Sequence, residues 1–438
     1  MDYVKDIIGF DAQAIDALTA DKLAQSGSDK WSRYPGCVGA FIAEMDFGLA
    51  PCIQRAIDRA VQGCALGYIP TPWKRHVAKA CADWQRLRYG WNVDPEQVRV
   101  VPDVVEAFEI FLREIVGHGN RVIVPTPAYM PFLSLPRLYD VELVEIPMLR
   151  VDGRNAGCTT GCGDGRADGD WLFDFDAIEA AFRDGCRAFV LCNPHNPIGK
   201  VYTTDEMLRL SALCERYNVR VFSDEIHAPF VFDDHRHVPF AAINEMTARQ
   251  AFTATSASKS FNIPGTKCAQ VILTNPDDVR MWTDRCEWSE HQTATIGAIA
   301  STAAYEEGGL WFDEVLKYVK RNAELVDERM RRDFPGVGYV KPQGTYIAWL
   351  DFNGLGIADP AAYFLEHAGV ALTDGRECGA VGAGCVRMNF AMPHPLLERC
   401  LDQMRDALAA DGLLPAGAMA PTALASAGLT RADMRDAA

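Results

Sequence analysis

"TATSASKSFNIPGTK", residues Thr253–Lys267, sets a run of hydroxyl side chains before Lys259 and brings a second lysine, Lys267, eight positions later. A lysine in a polar loop is ordinarily a solvated one. A lysine that follows a buried strand is also placed to bond covalently to a ligand carbonyl. The residues just before decide which environment applies. "AFTAT" (251–255) reads as a strand, and so do "RVIVP" (121–125), "VELVEI" (141–146), "RAFVLC" (187–192), "VRVFS" (219–223) and "AQVIL" (269–273). "TDEMLRLSALCERY" (204–217) has the spacing of an amphipathic helix. Short β-branched runs alternating with helical patterns predict a largely parallel sheet covered by helices.

The 438 residues exceed what one core normally holds, so two domains, or one large domain with a lobe, are expected. With 49% hydrophobic and 23% charged residues the composition is that of an ordinary globular protein. A formal net charge of −16 argues against nucleic acid or an anionic membrane as the main partner. No apolar run approaches membrane-helix length, and "MDYVKDIIGFDAQAID" lacks the parts of a signal peptide, so a cytoplasmic location is expected. The 14 cysteines have no repeated short spacing and read as small buried hydrophobes. Cys158 and Cys162 have no matching second ligand pair, so "GCTTGCGDGRADGD" reads as a Gly/Asp-rich insertion and no metal site is expected. "HRH" (235–237) reads as a surface turn, and "GAVGAG" (379–384) precedes a strand rather than a helix, which excludes a dinucleotide loop.

Ligands of parallel α/β sheets sit beyond the carboxyl ends of the strands. "RAFVLC" runs into "NPHNPIGK", "VRVFS" into "DEIH", and "AFTAT" into "SASK". Each loop has a plain reading: a turn cluster, a strand-end acid capping the next element, a solvated lysine. All of them at one sheet edge suit pyridoxal phosphate (PLP). That cofactor takes a lysine amine on its aldehyde, a carboxylate at its pyridine nitrogen, and donors for its phenolic oxygen and phosphate. Lys259, Asp224, Asn196 and the Ser256, Ser258, Lys267 group can supply them.

These blocks resemble the fold-type I PLP enzymes of the class I/II aminotransferase superfamily. "FIAEMDF" (41–47), "GYIP" (67–70), "PTPAYMPF" (125–132), "SDEIH" (223–227), "SKSFNIPG" (258–265), "PQGTYIAWLD" (342–351) and "VRMNFAMP" (386–393), in that order, are similar to the cystathionine β-lyase, or C–S lyase, branch. The likeness implies an α/β PLP-transferase fold: a mostly parallel central sheet in a large domain plus a smaller α+β domain. Residues 1–50 are expected to belong with the small domain, 51–300 to form the large domain and 301–412 the small one. Residues 413–438, rich in Ala, Pro and Gly, are expected to be a loosely ordered tail.

The resemblance also implies roles. Lys259 is the covalent lysine and catalytic base, Asp224 pairs with the pyridine N–H, and Asn196 donates to the phenolic oxygen. His227 stands where aminotransferases carry a tyrosine that shares that work. Tyr129 stacks on the ring. Ser256, Ser258, Lys267 and the backbone of Val104 and Val105 hold the phosphate. Asp103, where a small residue is usual, departs from the pattern and with Glu106 fits a capping box. Tyr68 reaches the neighbouring subunit's phosphate and acts in catalysis there, implying a homodimer with shared sites. Arg387 clamps the α-carboxylate of an amino-acid substrate. The activity implied is β-elimination from cystathionine, cysteine or another β-thio amino acid to pyruvate, ammonia and a thiol. The alternative is an aminotransferase, which uses the same cofactor and most of the same residues.

Overall fold

The computed structural model describes residues 9–151, 169–232 and 235–414. The Cys158–Cys162 insertion and nearly all of the expected tail lie outside these residues.

The strands of the large sheet are β1 (Val98–Val101), β2 (Arg121–Thr126), β3 (Glu142–Pro147), β4 (Ala188–Cys192), β5 (Arg220–Asp224), β6 (Ala251–Thr255) and β7 (Ala269–Ile272). Among the described residues they form a seven-stranded sheet in the order β1-β7-β6-β5-β4-β2-β3. Neighbours from β6 to β3 run parallel, whereas β7 is antiparallel to both β6 and β1. Every residue of β4 and of β6 is buried, as expected for strands covered on both faces. Register fixes the functional edge: Cys192 lies opposite Asp224, and Asp224 opposite Ala254. The loops carrying Asn196, Asp224 and Lys259 therefore leave the sheet at one level.

Helices cover the sheet for identifiable reasons. α1 (Thr204–Tyr217) starts at a reciprocal capping box of Thr203 and Glu206 and stops at Asn218, which turns left-handed at φ 52. Behind the sheet, Phe108 and Phe111 pack on Phe222 and Phe252, with ring centroids 5.0 Å apart for Phe108–Phe222 and 5.7 Å for Phe111–Phe252. Truncating one such ring to alanine costs about 3–5 kcal/mol, so this cluster holds the helix after Asp103 firmly against β5 and β6. Thr295–Glu307 is a helix buried almost all round. A Cβ on Gly297 would meet the Thr266 carbonyl oxygen at 2.1 Å, so only glycine lets this helix touch the loop that carries Lys267.

The helix Gly309–Asp333 leads to a second, antiparallel sheet of β8 (Gly338–Tyr339), β9 (Ile347–Asp351), β10 (Thr373–Asp374) and β11 (Cys385–Asn389), ordered β8-β9-β11-β10. The N-terminal segment reaches across to it: Val38–Gly39 pairs in parallel with Val370–Ala371. The following strip, "FIAEMDF", is pinned along its backbone. Asn389 donates to the Ile42 and Glu44 carbonyls at 2.6 Å each, and Asn262 both donates to and accepts from the Met45 backbone at 2.8 Å.

The "HRH" turn departs from expectation. His235 and Arg236 are exposed, but His237 is buried, its Nε2 3.1 Å from Glu225 Oε2. Glu225 is itself 1% exposed, so its carboxylate needs partners inside the protein, and Ser223 Oγ (2.9 Å) and the Phe240 N–H (3.0 Å) are the others. That requirement draws the turn inward. Among the described residues no cluster of metal-ligating side chains occurs, and no helix is long and apolar enough to cross a membrane.

Candidate active site

A cavity of about 420 Å³ opens at the carboxyl ends of β4, β5 and β6, within the size range of small-ligand sites. Lys259, Asp224, Asn196, Tyr129, His227, Ser256, Ser258, Lys267, Val104, Val105 and Arg387 all line it. Tyr68 does not. It is 92% exposed on the loop between the helices Pro51–Gln62 and Thr71–Tyr89.

Lys259 follows β6 on a single turn of helix, Ala257–Ser260. Its Nζ donates to the Ala43 carbonyl at 3.0 Å, the same oxygen to which Tyr346 donates at 3.0 Å. Burial, reinforced by the Arg387 charge and only partly opposed by Glu44 and Asp224, brings its pKa down to about 8. Asp224 ends β5 with Oδ1 accepting the Ile226 N–H (3.1 Å) and Oδ2 facing the Cys192 thiol (3.7 Å). Burial pushes its pKa up to about 6, and those hydrogen bonds pull in the opposite direction. His227 is 1% exposed, and neither ring nitrogen has a hydrogen-bond partner among the described residues. Burial and the nearby Lys259 and Arg387 charges lower its pKa to about 3, so it is a neutral imidazole.

Arg387 lies on β11 and is 4% exposed. Its Nη2 donates to the Phe41 carbonyl (2.9 Å) and its Nη1 to Asn196 Oδ1 (3.3 Å). No carboxylate among the described residues pairs with it. A buried guanidinium whose contacts are neutral, two oxygens and the Met130 sulfur at 3.7 Å, and which lines a cavity is suited to bind an anion. Because Asn196 spends its oxygen on Arg387, its amide N–H groups remain for a ligand.

A second group of polar residues is joined by direct contacts. Ser256 Oγ accepts the Ser258 N–H (3.0 Å) and donates to the Cys268 carbonyl (2.8 Å). Lys267, next in the chain to Cys268, holds a left-handed backbone at φ 54, and its Nζ lies 2.5 Å from Asp103 Oδ2. Asp103 Oδ1 caps the helix that begins at Val104 by accepting the Glu106 N–H at 2.9 Å. The capping box expected there is only half formed: the Glu106 carboxylate lies toward Ser289 instead of returning to Asp103.

Sequence reading missed Ile42, Ala43, Met130 and Pro264 in the cavity wall. All four sit within blocks noticed for their likeness, but apolar or backbone contributors leave no chemical mark in a sequence. Ala43 contributes through its carbonyl, to which any residue type would be equivalent.

The aminotransferase class I and II family model matches residues 42–404. The cystathionine β-lyase of Corynebacterium glutamicum is 32% identical, over 86% of this chain and 96% of its own. Cystathionine β-lyase PatB of Bacillus subtilis is 30% identical, over 84% of this chain and 92% of its own. Among solved structures, cystalysin from Treponema denticola, whose crystal contains a pyridoxal 5′-phosphate cofactor, superposes with a TM-score of 0.80 at 27% identity, covering 90% of this chain and 98% of cystalysin.

Proposed function

Since the chain belongs to the aminotransferase class I and II family and, within it, to the cystathionine β-lyase branch, we propose that it is a PLP-dependent carbon–sulfur β-lyase. Its substrates are cystathionine, cysteine or related β-thio amino acids, and its products pyruvate, ammonia and a thiol. The observation that carries the reading is the placing of Lys259, Asp224 and Arg387, which has no carboxylate partner among the described residues, around one cavity.

These residues fit PLP. Lys259 would hold it covalently, Asp224 would face the pyridine nitrogen, and Asn196 and His227, both with unused donors, would serve the phenolic oxygen. Tyr129 would cover the ring, and Ser256, Ser258, Lys267 and the Val104–Val105 backbone would hold the phosphate. When bound, PLP supplies an aldehyde that takes up the substrate amine and a protonated ring that accepts the electron pair released at Cα.

The chain's own residues do the rest. Arg387 binds the α-carboxylate and orients the Cα–H bond. The Lys259 amine, with a pKa near 8, takes the Cα proton close to neutral pH, where an ordinary lysine is almost wholly protonated. Asp224, ionised above about pH 6, keeps its partner nitrogen protonated. Departure of the β-thiolate completes the elimination, and the enamino acid released hydrolyses with one water to pyruvate and ammonia. Support for lyase over aminotransferase activity comes from the named relatives.

We assign residues 51–300 to a large domain and 301–412, with 1–50, to a small one; the Val38–Val370 pairing supports grouping both ends of the chain. The exposed Tyr68 fits a homodimer in which it serves the partner's cofactor, and a cytoplasmic enzyme is the simplest setting. Product analysis tests the function. Without any keto acid, multiple turnovers of pyruvate, ammonia and thiol from L-cystathionine or L-cysteine are expected. A single half-reaction, with rapid amino transfer once a keto acid is added, would establish an aminotransferase instead.

A further inference from the structure

We propose that Asp103 competes with the cofactor's phosphate for Lys267, so that this chain holds PLP exchangeably rather than permanently. The inference rests on the PLP reading above and concerns one contact within that site.

The contact is built rather than incidental. Asp103 divides its carboxylate, with Oδ1 on the Glu106 N–H at 2.9 Å and Oδ2 on Lys267 Nζ at 2.5 Å. The first bond fixes the direction in which the second oxygen points. The Lys267 backbone is held from its own side, left-handed at φ 54 with its carbonyl accepting the Ala294 N–H at 3.2 Å, while its side chain is 56% exposed and reaches Asp103 at the solvent edge of the cavity. Both residues line the cavity, and a chain of contacts joins them through Cys268 to Ser256 and Ser258. The hydroxyls, the lysine and the carboxylate are therefore one cluster.

Charge decides what that cluster does to a phosphate. The cations lining the cavity are Lys259, Lys267 and Arg387. Lys259 is needed for the covalent bond, and Arg387, on the far strand β11, is assigned to the substrate carboxylate. That leaves Lys267 as the phosphate's cation, and Asp103 already neutralises it. A phosphate carrying close to two negative charges must share the ammonium with a carboxylate that repels it. A lysine ammonium has three donors and can bridge both anions, so binding is weakened rather than abolished. Ser256, Ser258 and the Val104–Val105 backbone add neutral donors but no positive charge, so they do not offset the Asp103 carboxylate.

The test compares the parent protein with Asp103→Asn, Asp103→Ser and Lys267→Met. Asparagine and serine both keep the helix cap and remove the charge. Each protein is isolated with its cofactor. The rate at which the cofactor's visible absorbance is lost on dilution is then measured, as is the Kd on reloading with PLP and, separately, with pyridoxal, which lacks the phosphate. Asp103→Asn is expected to bind PLP about tenfold more tightly and release it more slowly, the size of one unit charge removed at short range in a partly solvated site. Asp103→Ser should move the same way and Lys267→Met the opposite way, with pyridoxal affinity unchanged in all of them. Unchanged or weaker PLP binding by both Asp103 variants would overturn the proposal and make Asp103 a support for Lys267. Equal tightening toward pyridoxal would overturn it too, since the effect would not act through the phosphate. Failure of the parent itself to take up PLP would instead remove the reading on which the proposal rests.

Discussion

Replacing Arg387 by glutamine should separate substrate binding from cofactor binding. The guanidinium is 4% exposed, has no carboxylate partner among the described residues, and spends one donor on the Phe41 carbonyl and one on Asn196 Oδ1. A substrate carboxylate would exchange those neutral acceptors for a charged one, so its net gain is smaller than that of two new charge-assisted bonds. Taking the lower end of about 1.5–3 kcal/mol for each of two such bonds gives about 3 kcal/mol, or roughly two orders of magnitude in kcat/KM. Glutamine can still satisfy one of the two protein oxygens, which limits the cost to folding. The assay is steady-state release of pyruvate from a β-thio amino acid, with the PLP content of the variant measured beside it. A fall of about a hundredfold in kcat/KM with full PLP occupancy is expected. A variant within threefold of the parent would refute the assignment, and a loss matched by lost cofactor would show that Arg387 supports Asn196 and the cofactor instead.

The remaining expectations concern Lys259, Asp224 and Tyr68. With a pKa of about 8, the Lys259 amine of cofactor-free protein is neutral in about a quarter of molecules at pH 7.5, against about one in a thousand for an ordinary lysine. Covalent uptake of PLP should therefore accelerate up to about pH 8 and then level off, whereas a rise continuing to pH 10 would contradict the lowered value. Asp224 binds its proton more tightly folded (pKa about 6) than unfolded (3.8), so cofactor-free protein loses stability as pH rises through about 6. By linkage the loss approaches about 3 kcal/mol at pH 8; Asp224→Asn should raise the cofactor-free Tm there while removing most turnover, and an unchanged Tm would count against the burial argument. Mixing inactive Lys259→Ala subunits with Tyr68→Ala subunits should restore activity through hybrid dimers holding one intact site; no recovery after proven subunit exchange would place Tyr68 outside the partner's site.

Much of the sheet was legible because parallel strands bury both faces and so read as short apolar runs. "AFTAT" and "TDEMLRLSALCERY" coincide with the observed β6 and α1. β1 was missed: "VRVV" is only four residues long and follows a short 3₁₀ turn, so it lacks the length that marks a strand. The reversal of β7 was also invisible, since burial on both faces gives parallel and antiparallel strands the same apolar pattern. At the site, the charged and amide residues announced themselves, because Lys, Asp, Asn and Arg at strand ends are chemically distinctive. What stayed hidden was pairing. Nothing in the residue types says that Asp103 faces Lys267, that Ala43 contributes a carbonyl to Lys259, or that His237 is drawn inward by Glu225. The first two join positions 164 and 216 residues apart and depend on how the sheet is assembled, and the third depends on the path of the loop between partners 12 residues apart.

The central claim, that Lys259 carries the cofactor, is tested most directly by reducing the PLP-loaded protein with borohydride and mapping the modified peptide by mass spectrometry. A pyridoxyl group on Lys259 alone is the expected result. A pyridoxyl group on Lys267 or any other lysine, or none on a protein that has bound PLP stoichiometrically, would contradict it.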